Sequence, residues 1–145
     1  MARFYTYSFE DTAVTISHPE IGVYHAYGSG LGSVTVEYAD NVAEHTVATD
    51  LSVVISKHAY RNGTVTLNVM QSSDLNKWLK TKFAKNLEVL GASQFARATM
   101  TIENKSTGDS YVCTGVCHQK RPNDSFQAAA QAVDWVFLVA DIATN

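Results

Sequence analysis

The sequence predicts a mainly β domain, a β-sandwich or partly open antiparallel barrel, with one α-helix at about 73–90. Three observations carry this. Short runs that alternate apolar with polar residues recur along most of the 145 residues. The period changes once, after Ser72-Ser73-Asp74, to three- and four-residue steps. No internal repeat or linker divides the chain, so residues 1–145 read as a single domain.

Taken in order, Phe4 to Phe9 alternates aromatic with polar residues and reads as an edge or entry strand, followed by a turn at Glu10-Asp11. Ala13 to His18 is a period-two strand that stops at Pro19. Ile21 to Tyr27 is a shorter run, ended by Gly28-Ser29-Gly30-Leu31-Gly32. Two further runs, Ser33 to Tyr38 and Leu51 to Ser56, are expected to form a strand pair. The polar stretch Ala39 to Asp50 separates them and is far longer than the ~2–5 residues of a tight hairpin. It holds no catalytic or nucleotide-binding signature, so it reads as an arm that reaches a neighbour.

Asn62-Gly63 is a turn signal, and Thr64 to Met70 continues as a strand. In the helix, Leu75, Trp78, Leu79, Phe83, Leu87 and Leu90 fall on one apolar stripe, while Lys77, Lys80, Lys82 and Lys85 lie mostly off it. Ser72 or Ser73 is the expected N-cap, Asp74 faces the positive end of the dipole, and Gly91 is the expected residue past the C-terminus. Ala96 to Glu103 alternates again, Asn104 to Asp109 is a turn, and Tyr111 to Val116 is a strand. A loop around Pro122 leads to a last strand, Val133 to Ala140, expected to be buried for much of its length.

Composition narrows the function. With 46% hydrophobic and 17% charged residues the chain is no disordered tail. A net charge of −3 argues against a protein that holds nucleic acid by neutralising phosphates. No run of ~18 apolar residues is present and the N-terminus lacks the apolar core of a signal peptide, so no membrane anchor is expected and folding in the cytoplasm is the default. Two cysteines suit that reducing setting.

No active site assembles from the residues. On a regular strand Cys113 and Cys117 share a face roughly 13 Å apart, too far for a disulfide, and no second pair completes a zinc site. They read as packing cysteines. His18, His25, His45, His58 and His118 lack metal-ligand spacing. The glycine run lacks the Lys-Ser/Thr of a phosphate-binding loop and precedes a strand. No catalytic residue, cofactor or metal is therefore expected. The helix lysines have no interleaved aromatics and suit a solvated or protein-contact face. Glu37, Asp40, Glu44 and Asp50 are too dispersed for acid–base catalysis. They suit either plain solubility or a surface that repels phosphate.

Several stretches together carry a resemblance. They are Tyr5 to Asp11, Val14-Thr15-Ile16-Ser17-His18-Pro19, Gly30-Leu31-Gly32-Ser33-Val34 and Arg61-Asn62-Gly63-Thr64-Val65. Leu75-x-x-Trp78-Leu79, Cys113-Thr114-Gly115-Val116 and Trp135-x-x-x-Val139-Ala140-Asp141-Ile142 complete the set. In this order the chain resembles the tail tube subunits of contractile-tailed bacteriophages, similar in fold to the tubes of R-type pyocins and of type VI secretion. The resemblance implies hexameric rings stacked into a hollow tube inside a sheath, each subunit giving about four strands to a continuous inner barrel. It implies a helix on the outer side and an arm that reaches the adjacent ring, here Asp40, Asn41, Val42, Glu44, His45, Val47 and Asp50. Glu37, Asp40, Glu44 and Asp50 become candidates for an acidic lumen. The partners implied are further copies of the chain, a tail sheath protein, tape measure, baseplate and terminator proteins, and double-stranded DNA in passage without specific binding. The location implied is the virion tail, after assembly in the host cytoplasm.

Roughly 24 strands at ~4.8 Å, tilted ~40°, give a barrel near 48 Å across the backbone, wide enough inside for a hydrated duplex. Alternatives remain: another ring-forming tail component such as a terminator or baseplate protein, a type VI or pyocin-like tube subunit, or a monomeric small-ligand β-barrel.

Overall fold

The computed structural model describes residues 7–26, 31–129 and 131–144. Its strands are β1 (Thr12–His18), β2 (Gly22–Ala26), β3 (Leu31–Tyr38), β4 (Ala43–Val47) and β5 (Val53–Lys57). They continue with β6 (Gly63–Met70), β7 (Ala98–Asn104), β8 (Asp109–His118), β9 (Ala132–Val139) and β10 (Asp141–Thr144). Of the expected entry strand, residues 4–6 lie outside the described residues, and Phe9–Asp11 forms a short 3-10 turn. Residues 28–30 of the glycine run also lie outside them, while Leu31 and Gly32 already belong to β3.

Eight strands form one antiparallel sheet in the order β2-β1-β7-β8-β9-β6-β3, with β10 beside β8. The sheet folds at β8. Up to Val116 that strand pairs with β7, and at Cys117 and His118 it pairs with β9. Gly115 is the extra residue of a β-bulge between them, at φ +67, a left-handed geometry natural to glycine. A Cβ there would collide with the Ala140 methyl, where the chain crosses from β9 to β10. The bend lays β3, β6 and β9 over β1, β7 and β10 as two layers, and the barrel stays open. Alternation does the rest. β1 and β6 bury every second residue, and Val14, Ile16, Val65, Leu67, Met100, Trp135 and Phe137 fill the space between the layers.

The bulge corrects one expectation. It shifts the phase of β8, so Cys113, Val116 and His118 point inward and Cys117 outward. The two cysteines do not share a face. β9 is not a uniformly buried strand either: it alternates, with Asp134 and Leu138 exposed.

One end of the sandwich is closed by a helix. α1 (Asp74–Trp78) runs through a π-helical segment (Leu79–Ala84) into α2 (Lys85–Leu87). The cause lies in the stripe. Leu75, Leu79, Phe83 and Leu87 repeat every four residues, and in a pure α-helix each such step overshoots a turn by about 40°. The wider π turns take up that drift and keep all four side chains at 0–1% exposure. Trp78 lies at the stripe's edge, half-buried against Tyr24 and Phe83. Ser73 is the N-cap, its Oγ accepting from the Asn76 N–H at 3.2 Å. Asn76 is buried, donates to the Gln71 carbonyl, and accepts from Trp135 Nε1 at 2.9 Å, which ties the helix to β9. Gly91 does not terminate this helix in a left-handed conformation. It has φ −69 and opens a further short helix, α3 (Ala92–Phe95), that the periodicity did not reveal.

The strand pair expected of Ser33–Tyr38 and Leu51–Ser56 is not present. β3 pairs with β6, in register Val34↔Leu67 and Val36↔Val65. Residues from the second run form β5, which pairs with β4 in a separate two-stranded ribbon. Gly63 is not a hairpin turn residue but the first of β6, where a Cβ would strike the Glu37 carbonyl oxygen. The extension therefore continues well past Asp50, and it is a hairpin rather than a polar loop.

Candidate functional site

The hairpin stands off the body. Every residue of β4 and β5 is exposed, and their ladder joins them to each other alone. Pairing in the register Ala43↔Lys57, His45↔Ile55 and Val47↔Val53 puts these six residues on one face, with Glu44, Thr46, Val54 and Ser56 on the other. Val47, Val53 and Ile55 are 63, 53 and 65% exposed. The tip is held by local bonds: Asp50 Oδ1 accepts from the Ser52 N–H at 3.0 Å, and the Ser52 hydroxyl together with that N–H lowers the Asp50 pKa below the usual carboxylate value. Leu51 at the tip has φ 71 and is 82% exposed. A branched residue in the left-handed region costs about 1–2 kcal/mol, and this leucine packs on little.

The root of the hairpin is firmer. The His58 N–H donates to the Val42 carbonyl at 2.7 Å, His58 stacks on Tyr60, and its Nε2 lies 3.6 Å from Glu44 Oε2. Beyond it Arg61 pairs with Asp141 at 2.9 Å, and Ile142 N–H donates to the Arg61 carbonyl. Of the residues singled out for the arm, Asp40, Asn41 and Val42 lie on the approach, Glu44, His45 and Val47 on β4, and Asp50 at the tip.

The four dispersed acids do not gather on one surface. Glu37 stands on the outer face of β3, opposite Thr64, whereas Asp40, Glu44 and Asp50 belong to the hairpin and its approach. The outer face of the β3-β6-β9 layer is built in rows: Ser33, Asn68 and Asp134; Thr35, Thr66 and Val136; Glu37, Thr64 and Leu138. Asn68 Nδ2 donates to Asp134 Oδ1 at 2.8 Å. Among the described residues of these three strands no lysine or arginine points outward. Asp134 was missed in the sequence, yet it carries a signal: a carboxylate between Val133 and Trp135 has nowhere to go in a two-layer fold but outward.

The remaining chemistry is structural. The Glu20 N–H donates to His18 Nδ1 at 3.0 Å, so Nε2 carries the proton and donates to the Gln94 carbonyl at 2.8 Å. Glu88 accepts from both His118 Nε2 and the Arg121 guanidinium, at 2.9 and 2.7 Å, and these bonds hold its pKa below the usual value. Burial, aided by Asp141, pushes the Cys113 thiol up to about 11, and burial raises Cys117 too, so neither is a ready thiolate. Lys80 pairs with Asp124, and Lys77, Lys82 and Lys85 face solvent.

Comparison with solved structures places the fold. The chain is similar to a protein of the tube-terminating cap of the anti-feeding prophage, at TM-score 0.62 and 8% identity over 100% of this chain and 94% of the other. It is similar to a chain of the PVC sheath/tube terminator in the extended state (TM-score 0.62, 8% identity, 99% of each chain). A chain of the PVC sheath-tube complex, an extracellular contractile injection system, matches at TM-score 0.58 and 9% identity over 97% and 92%. At such identities the likeness is one of fold. A search of curated proteins finds no match. The family model described as the bacteriophage PhiTE tail tube protein matches residues 4–145. An open β-sandwich of tail-tube type, an exposed hairpin whose strands pair with each other among the described residues, and a match along nearly the whole chain agree: this protein belongs to the bacteriophage PhiTE tail tube protein family and is a structural component of a phage tail.

Proposed function

We propose that the chain is the repeating subunit of the inner tube of a contractile phage tail, closed into hexameric rings that stack through the hairpin and let DNA pass during ejection. The observation that carries this reading is the β3-β6-β9 layer: open at β3, hydroxyl-lined, acidic at Glu37 and Asp134, and free of outward cations among the described residues. With the end of β8 it supplies four strands. Six copies supply roughly 24, a ring near 48 Å across the backbone. Side-by-side pairing removes the exposed edge of β3. A bore faced by threonine, serine and carboxylates offers phosphate no counter-charge, so a duplex slides without being held. In this reading Glu37 and Asp134 face the bore, and Asp40, Glu44 and Asp50 belong to the contact between rings. The sheath surrounds the tube, with tape measure, baseplate and terminator proteins at its lumen and ends.

Negative-stain images of the concentrated protein test it: stacked tubes are expected. Because Val42 O and His58 N lie 2.7 Å apart, residues 43–57 can be replaced by a two-glycine turn. That variant is expected to stay a folded monomer, lighter than the 15.8 kDa parent by the ~13 residues it loses, and to form no tubes. Tubes of normal length from it would refute the role of the hairpin. Single closed rings from the intact protein would select a second reading, a tube-terminating cap, which the TM-score of 0.62 to two terminating components supports.

A further inference from the structure

The connection from His118 to Ala132 is long for two strands that pair with each other. Its two roots are firm. The Gln119 N–H donates to the Val136 carbonyl at 2.9 Å, and the Gln131 carbonyl accepts from the Gln71 N–H at 2.8 Å. From Lys120 to Ala129, however, every residue is exposed except the half-buried Pro122, and Phe126 is 90% exposed. Among the described residues no main-chain group of this stretch bonds to another element. Burial and main-chain bonding therefore do little to hold it down.

Charge does. Arg121 Nε and Nη2 donate to Oε1 and Oε2 of Glu88 at 3.0 and 2.7 Å, a two-pronged pair at the C-terminal end of the helix. Further back on the same helix, Lys80 pairs with Asp124. Under both pairs lies a cavity of about 100 Å³ lined by Asn76, Lys80, Arg121, Pro122, Asp124 and Trp135. The four charged side chains are 28–44% exposed, so water and salt reach them and each pair is weak. We propose that residues 120–129 form a strap latched to the helix by these two ion pairs, and that it lifts as a unit while the helix and both layers stay folded. Lifting breaks the Arg121–Glu88 and Lys80–Asp124 pairs and uncovers the Asn76–Trp135 bond beneath. Glu88 keeps His118, and the roots at Gln119 and Gln131 keep their main-chain bonds. Ionic strength sets the balance: low salt closes the strap and screening frees it. β6 and β9 pair from Gly63↔Val139 to Met70↔Ala132, so the strap sits at the end of that layer opposite the root of the hairpin. The device is a property of the single subunit and stands whether or not the chain builds a tube.

Chymotrypsin reports the lifting, because the bond after Phe126 is cut only when the residues around it are drawn out of the folded surface. Cleavage is followed by mass spectrometry on the dilute parent and on an R121Q/D124N variant. Rates are normalised to a free peptide spanning residues 119–131, which removes the effect of salt on the protease. At low salt the variant is expected to be cut after Phe126 roughly fivefold faster or more. At about 1 M salt the parent should approach the variant's rate, while the variant barely responds. K80D/D124K, which reverses one pair, should be cut more slowly than D124K alone. Equal rates for the parent and R121Q/D124N at low salt overturn the latch. Cuts within the core strands that rise in step with the cut after Phe126 overturn the independence of the strap.

Discussion

The helix and the hairpin are both inserted next to β6, and both carry a stripe of branched apolar residues. Their fates are opposite. Leu75, Leu79, Phe83 and Leu87 are 0–1% exposed under the two layers, while Val47, Val53 and Ile55 are more than half exposed. The difference is one of reach. The helix is joined to β6 by a short capped turn and lies across the open end of its own sandwich. The hairpin leaves through Ala39 to Val42 and returns at His58 with its strands away from the body. Five paired residues carry its tip ~16 Å out. Apolar residues that complete the core and apolar residues that the hairpin leaves exposed differ in placement and not in kind.

Four measurements can break or sharpen this contrast. Phe83→Ala should cost the isolated subunit about 3–5 kcal/mol in denaturant unfolding, because the cavity opens against Trp78, Phe137 and His118. A loss under ~1 kcal/mol would mean the helix is no true part of the core. Asn76→Ala leaves the Trp135 indole N–H without its acceptor and should cost about 1–3 kcal/mol in the same assay, while Asn76→Asp, which keeps an oxygen, should recover part of it.

Glu88→Gln is smaller and depends on pH. The partners of Glu88 hold its folded-state pKa below the ordinary 4.5, so its stabilising effect is present above that value and lost as pH falls through the lowered one. The Tm gap between parent and variant should be widest near neutral pH and close on acidification, and a gap that widens in acid would contradict the pairing. Smallest for the monomer is Val53→Ser with Ile55→Ser, expected within ~0.5 kcal/mol by thermal melting since these side chains are more than half exposed. Tube yield from that double variant should nevertheless fall sharply in sedimentation. A large monomer effect would show that the hairpin folds back on its own body.

Much of the body was legible because β1, β6 and β7 face water on one side and core on the other, so alternation is written into Val14-Thr15-Ile16 and Val65-Thr66-Leu67. The helix was legible for the same reason at another period. The hairpin was misread because Val53-Val54-Ile55 looks like a buried strand, and the tip that reverses the chain uses Leu51 where glycine is the usual signal. Gly63 misled in the opposite sense: it follows Asn62 as in a turn, yet it is glycine because β3 passes too close for a Cβ. Cys113 and Cys117 were put on one face because the phase change at Gly115 depends on a backbone angle that no alternation records.

By itself the sequence determined a β-rich chain with an amphipathic helix at about 73–90 and an unusual extension after Tyr38, since periodicity and turn chemistry are local properties. Only the tertiary structure decided that the extension is a hairpin, that β3 finds β6 and not β5, and that Asp134 joins Glu37 on one face. Those outcomes depend on which distant strands meet and in what register, and strand pairing is set by the packing of the whole sheet.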